Sequence, residues 1–155
     1  MPANRESLLA GRNQQPLDLK EVRRALSAFI GFEPKAPVRH EPGARTRFRV
    51  ELGEGEEEVV EIVFGSDIYP GPGIADPNSS LSMEAAAAHE LTHWRRWTDK
   101  TELVEDDLLE IDEALTSLEA AIRYGEKLSP HDIRQLIADA IQRLQIYSGK
   151  KQAVR

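Results

Sequence analysis

The chain contains no cysteine, which excludes disulfides, iron–sulfur clusters and thiolate zinc sites. No apolar run approaches the roughly 18 residues that a membrane span requires. The opening residues MPANRESLLAGRNQQP lack the continuous apolar segment of a signal peptide. Basic charge is in the minority, with 20 Lys+Arg against 27 Asp+Glu for a net charge of −7. Nucleic-acid binding through a broad basic surface needs clustered cations and is not expected. Aromatics are few at 6%, and the only methionines are Met1 and Met83. What remains is a chain of 155 residues, 40% apolar and 30% charged, the profile of one soluble, cytoplasmic domain with a modest core.

Periodicity divides it into an α+β order. Residues 1–16 are polar and read as a mobile arm. Asp18 and Glu21 form a capping-box pair ahead of Leu19, Val22, Leu26, Phe29 and Ile30, a helical stripe that Gly31 would stop. Pro34, Pro37 and Pro42 mark a connector. Two alternating runs follow, with Phe48, Val50 and Leu52 on one apolar face and Val60, Ile62 and Phe64 on the other; the acidic loop of residues 53–57 joins them as a hairpin. Residues 66–80 read as loop, with Ile68 and Tyr69 as a short third strand. Three helices complete the domain. The first runs from Met83 to about Thr98, capped by Ser80 or Ser82. The second spans Glu105–Tyr124. The third begins at Ser129-Pro130, with Ile133, Leu136, Ile137, Ala140, Ile141 and Leu144 as its apolar stripe. The domain is expected over 17–147, followed by a frayed tail over 148–155.

One motif carries chemistry. His89-Glu90-Leu91-Thr92-His93 reads H-E-x-x-H within the alanine-rich helix. Imidazoles four residues apart on a helix point the same way and can share one tetrahedral Zn²⁺. Glu90, beside the first ligand, is placed to take a proton from the metal-bound water as it attacks a carbonyl. Catalytic zinc keeps three protein ligands, so a third is needed. The metzincin pattern would put glycine at Arg96 and a ligand at Asp99. Without that glycine the reversal is disfavoured, and no methionine lies downstream to form a Met-turn. A histidine continuation leaves only His131, which opens a separate helix and reads better as a capping-turn residue. Glutamate candidates on the next helix are Glu110, Glu113 and Glu119.

Glu113 lies in Ile111-Asp112-Glu113-Ala114-Leu115-Thr116-Ser117, twenty residues after His93. With this Glu-Ala dipeptide the stretch Ser82–Ala121, about a quarter of the chain, resembles the gluzincin metallopeptidases, including the small ImmA/IrrE-type and minigluzincin proteins. The resemblance implies a small zincin-like domain in which His89, His93 and Glu113 hold zinc and Glu90 is the general base. It also implies a polar partner to the ligands one turn after Glu113, at Thr116 or Ser117. Glu110 is the second choice for the ligand, and Glu119 lies about 600° further round the helix than Glu113. Thus the expectation is a zinc metallopeptidase that cleaves a peptide or protein substrate laid along the hairpin edge. A non-catalytic zincin-fold regulator stabilised by metal is the alternative. Membrane and nucleic-acid partners are not expected. Trp94 and Trp97 read as core packing. Arg95 and Arg96 read as partners of the helix end or of the acidic segment 102–107. Tyr69 and Tyr124 are candidate oxyanion donors, and nothing in the sequence chooses between them.

Overall fold

The computed structural model describes residues 11–55, 57–72 and 80–153. The first ten residues of the expected arm, Glu56 of the acidic hairpin tip, residues 73–79 of the Gly/Pro-rich loop and the last two residues of the tail lie outside the described residues. The architecture is α+β. Helix α1 (Leu19–Phe32) precedes strands β1 (Val38–His40), β2 (Arg47–Leu52) and β3 (Glu58–Phe64), followed by helices α2 (Met83–Asp99), α3 (Leu109–Arg123) and α4 (Pro130–Ala153).

The sheet is mixed, with strand order β1-β3-β2. The β2–β3 hairpin is antiparallel as expected, pairing Phe48 with Ile62 and Val50 with Val60. Within its loop Gly55 adopts a φ of 87°, a conformation that favours glycine. The expectation of a plain connector before the hairpin is corrected, because Val38–His40 within the proline-rich stretch adds a parallel strand beside Ile62–Phe64. A strand of three residues is too short for periodicity to reveal. Ile68 is buried, but it closes a 3-10 turn (Ser66–Ile68) and not a third strand. At Gly65, where β3 leaves the sheet, a Cβ would collide with the Ala44 carbonyl.

The expected capping box closes α1: Glu21 N–H donates to Asp18 Oδ1 at 2.7 Å, and Asp18 N–H donates to Glu21 Oε1 at 3.0 Å. The helix passes through Gly31 to Phe32, and it buries Ala25, Phe29 and Phe32 while Leu19 and Ile30 stay exposed. Phe29 stacks on Phe64 with 5.6 Å between ring centroids, which joins α1 to the sheet. The distal hairpin lies outside this core, and Leu52 is 74% exposed.

Helix α2 runs through the centre. Ser82 caps it, accepting from Ala85 N–H at 3.1 Å. Ala85–Ala88 are fully buried, and their small side chains leave room for neighbouring elements to approach the helix closely. A 3-10 turn over Asp106–Leu108 leads into α3. At the C-terminus the expected fraying begins too early, since α4 continues to Ala153. Its orientation also differs from the expected stripe. Ile137, Ile141 and Leu144 are exposed, while Asp132, Gln135, Asp139 and Arg143 join Leu136 and Ala140 in facing inward.

Residues 11–16, part of the expected arm, are fastened to the domain by Arg12. Its guanidinium donates to the carbonyls of Asp67 at 2.9 Å, Leu81 at 2.5 Å and Ile68 at 2.8 Å. Burial lowers the Arg12 pKa to about 10, against the raising influence of Asp67 and Asp139. Three carbonyls lose their donor if this side chain is truncated. Arg12→Ala is therefore expected to cost about 2–3 kcal/mol in urea unfolding. Arg12→Lys should recover less than half of that loss, because an ammonium lacks the fork that reaches all three.

Candidate metal centre

His89 and His93 sit one turn apart on α2, with ring centroids 4.7 Å apart and ring planes nearly perpendicular. Glu113 enters from α3. Its Oε2 lies 2.9 Å from His89 Nε2 and 3.0 Å from His93 Nε2, and the two Nε2 atoms are 3.1 Å apart. The three residues form a buried group that can hold a metal ion. His93, at 7% exposure, is the most solvent-exposed of the three, so it marks the side from which the centre is reached. Glu90 follows His89 on α2 and is fully buried.

The donor set suits a cation. Ligand atoms about 2.0–2.1 Å from a tetrahedral zinc ion stand roughly 3.3–3.4 Å apart, so the triangle need open by only about 0.3 Å. In the metal-free protein a proton serves the same electrostatic purpose. Burial disfavours a charge on His93, but the charge and hydrogen bond of Glu113, with Glu90 and Asp112, push its pKa up to about 9. Burial likewise disfavours a charge on Glu113, and the two imidazoles outweigh it and hold the carboxyl well below the usual carboxylate range.

The partner expected one turn after Glu113 is Ser117, whose Oγ lies 2.8 Å from His89 Nδ1. Thr116 instead donates to its own helix, at the Asp112 carbonyl. Ser117 Oγ in turn donates to Asp139 Oδ2 of α4 at 2.6 Å. Arg143, a turn further along α4, donates from Nε to the same oxygen at 3.2 Å. Sequence reasoning missed Asp139 and Arg143. The available signal was a polar series on α4, Asp132-Gln135-Asp139-Arg143, recurring at helical steps alongside the apolar one.

The other ligand candidates lie elsewhere. Helix α2 does not turn at Arg96. It ends at Lys100, which takes the left-handed conformation (φ 58°), and Asp99 points to Arg123 with 3.7 Å between charged atoms. Glu110 pairs with Arg143 and Lys150, and Glu119 with Arg96 and Arg123. His131 is exposed on the first turn of α4, beside Gln135. Arg96 is buried, donates to the Thr101 carbonyl at 3.1 Å and forms an ion pair with Asp112 of α3.

Both tyrosine hydroxyls are engaged. Tyr69 donates to the Glu21 carbonyl at 2.7 Å, and Tyr124 to Glu33 Oε1 at 2.8 Å. Burial raises the pKa of each, and at Tyr124 the Glu33 hydrogen bond raises it further. Trp94 packs against the core, and Trp97 meets Phe48 of β2 at 6.3 Å between centroids. Among the described residues no helix is long and apolar enough to cross a membrane.

No family model matches the chain, and no curated protein or solved structure matches it. The case for a metal rests on the triad's own geometry.

Two consequences are measurable. Because His93 holds its proton up to about pH 9, metal binding at neutral pH must expel it. Calorimetric zinc titrations in buffers of different ionisation enthalpy are expected to show release of about one proton per site; a buffer-independent heat would contradict the protonated triad. The second concerns stability. The raised His93 pKa stabilises the metal-free fold fully below its unfolded value of about 6.5, and this contribution is lost as pH rises through about 9. The depressed Glu113 contribution is present above about 4.5 and is lost as pH falls. Metal-free stability should therefore peak between about pH 4.5 and 6.5 and decline toward pH 9. Thermal melts across that range check it.

Proposed function

We propose that the chain is a zinc-dependent peptidase built on the gluzincin pattern, with His89, His93 and Glu113 as metal ligands. The observation that carries this reading is the convergence of His89 Nε2, His93 Nε2 and Glu113 Oε2 within 2.9–3.1 Å of one another, beside Glu90 on the same helix. Zinc held by such a set supplies Lewis-acid chemistry, polarising a carbonyl and acidifying water. Glu90 is the general base in this reading: it accepts the proton of the attacking water and returns it to the leaving amine.

The substrate class is an extended peptide or protein segment. Strand β2 lies at the edge of the sheet, where a peptide can add as a further strand through main-chain hydrogen bonds. The Phe48–Trp97 contact couples that edge to the helix bearing the motif.

A second reading, a non-catalytic regulatory or interaction module stabilised by metal, draws support from the depth of the centre, where His89 and Glu113 are almost closed to solvent. Glu90→Gln separates the two. A peptidase should lose about 10²–10⁴-fold in kcat on a peptide library while keeping its zinc, whereas Glu113→Ala should lose the zinc itself. Zinc-loaded wild-type protein that cleaves no peptide would favour the module.

A further inference from the structure

Helix α4 presents a polar stripe to the interior and leaves three large aliphatic side chains outside, the reverse of what burial of apolar surface alone would select. Each inward polar residue has a defined task. Asp132 Oδ1 accepts from Ser82 Oγ at 2.6 Å, and Gln135 Oε1 accepts from Ser82 N–H at 2.8 Å. These bonds hold the N-cap of α2. Asp139 holds Ser117, and Ser117 meets His89.

The hydrogen bookkeeping of the last chain has one solution. The Asp139 carboxylate has no hydrogen to give, and its Oδ2 already accepts from Arg143 Nε. Ser117 must therefore spend its single hydroxyl hydrogen on Asp139. Its oxygen can then only accept from His89, which places a hydrogen on Nδ1. A neutral His89 of that form carries its lone pair on Nε2, the atom that faces His93 and Glu113. Without Asp139 the Ser117 hydroxyl is free to donate to Nδ1. The Glu113 carboxylate, 2.9 Å from Nε2, then draws the hydrogen to the nitrogen that must bind metal.

We propose that Asp139 is a positioning residue of the metal centre: through Ser117 it selects the metal-binding tautomer of His89, making the C-terminal helix part of the site. The inference rests on the metal reading above and adds a residue from an element outside the H-E-x-x-H and Glu113 helices. Arg143 belongs to the same device. It is buried, and burial lowers its pKa less than Asp139 and Glu113 raise it, so its charge persists behind the carboxylate.

The test uses the full chain with Ser117→Ala, Asp139→Ala and the double variant; alanine is chosen because an asparagine oxygen could still accept from Ser117. Zinc affinity, measured by competition with a chelating dye, is expected to fall about 10–100-fold in each single variant. The double variant should be no weaker than Ser117→Ala, because both substitutions cut one chain. Ring-nitrogen correlation spectra of the metal-free protein at neutral pH give a reading that lost packing alone would not move. His89 Nδ1 should be protonated in the wild type and deprotonated in Asp139→Ala, with the hydrogen on Nε2. Wild-type affinity in both single variants, or an Nδ1 that stays protonated in Asp139→Ala, would overturn the proposal. If Asp139→Ala fails to give a folded metal-free chain, Ser117→Ala decides, since it leaves the Asp139–Arg143 pair in place. Failure of the wild type to bind zinc would count against the metal reading alone, because the ring-nitrogen measurement needs no metal.

Discussion

Three polar ligand atoms meet inside this protein within 3.1 Å of one another, at the crossing of α2 and α3. Burying two imidazoles and a carboxylate is tolerable only when their charges are matched and their remaining polar atoms satisfied. Much of the helical half of the molecule meets that condition. Arg96 and Asp112 tie the same two helices a turn away, and Asp112 also accepts from Leu103 N–H at 2.8 Å, closing the loop between them. The alanines of α2 let neighbouring elements come close enough to exclude water from the motif.

Helix α4 answers the same constraint from the far side. An ordinary amphipathic helix would turn Ile137, Ile141 and Leu144 inward. Here the inward face carries Asp132, Gln135, Asp139 and Arg143, which respectively fasten the start of α2 and back its first histidine. Rotating the helix to bury the isoleucines would strand Ser82 and Ser117 without these partners, and an unsatisfied buried polar group costs about 1–3 kcal/mol. The arrangement therefore exchanges some apolar burial for a defined hydrogen-bond order around the ligands.

The sheet contributes position more than chemistry. Its inner strand β3 supplies Ile62 and Phe64 to the core, while the parallel strand β1 covers one side and leaves β2 at the other edge. Across the outward face, Arg39 and Arg49 both bond Glu61, an exposed set that contributes little stability but keeps that face polar.

Local signals were enough for much of this. The capping box of α1, the spacing of His89 and His93, and the alternation of β2 and β3 are properties of neighbouring residues, because a helix or strand period converts sequence distance directly into direction in space. The Glu113 assignment came from a resemblance in the following helix, and the structure brings that carboxylate to the two imidazoles. Strand β1, the inward face of α4, the Arg96–Asp112 pair and the Ser117–Asp139 chain were not legible. Each joins residues 16 or more apart in sequence, and no local period reports which of two amphipathic faces a neighbouring helix will meet. The sequence by itself determined the α+β order and the pair of histidines on one helical face. Only tertiary packing decided that a carboxylate from a second helix and a hydrogen-bonding chain from a third would converge on them, because buried polar groups choose their partners by three-dimensional proximity.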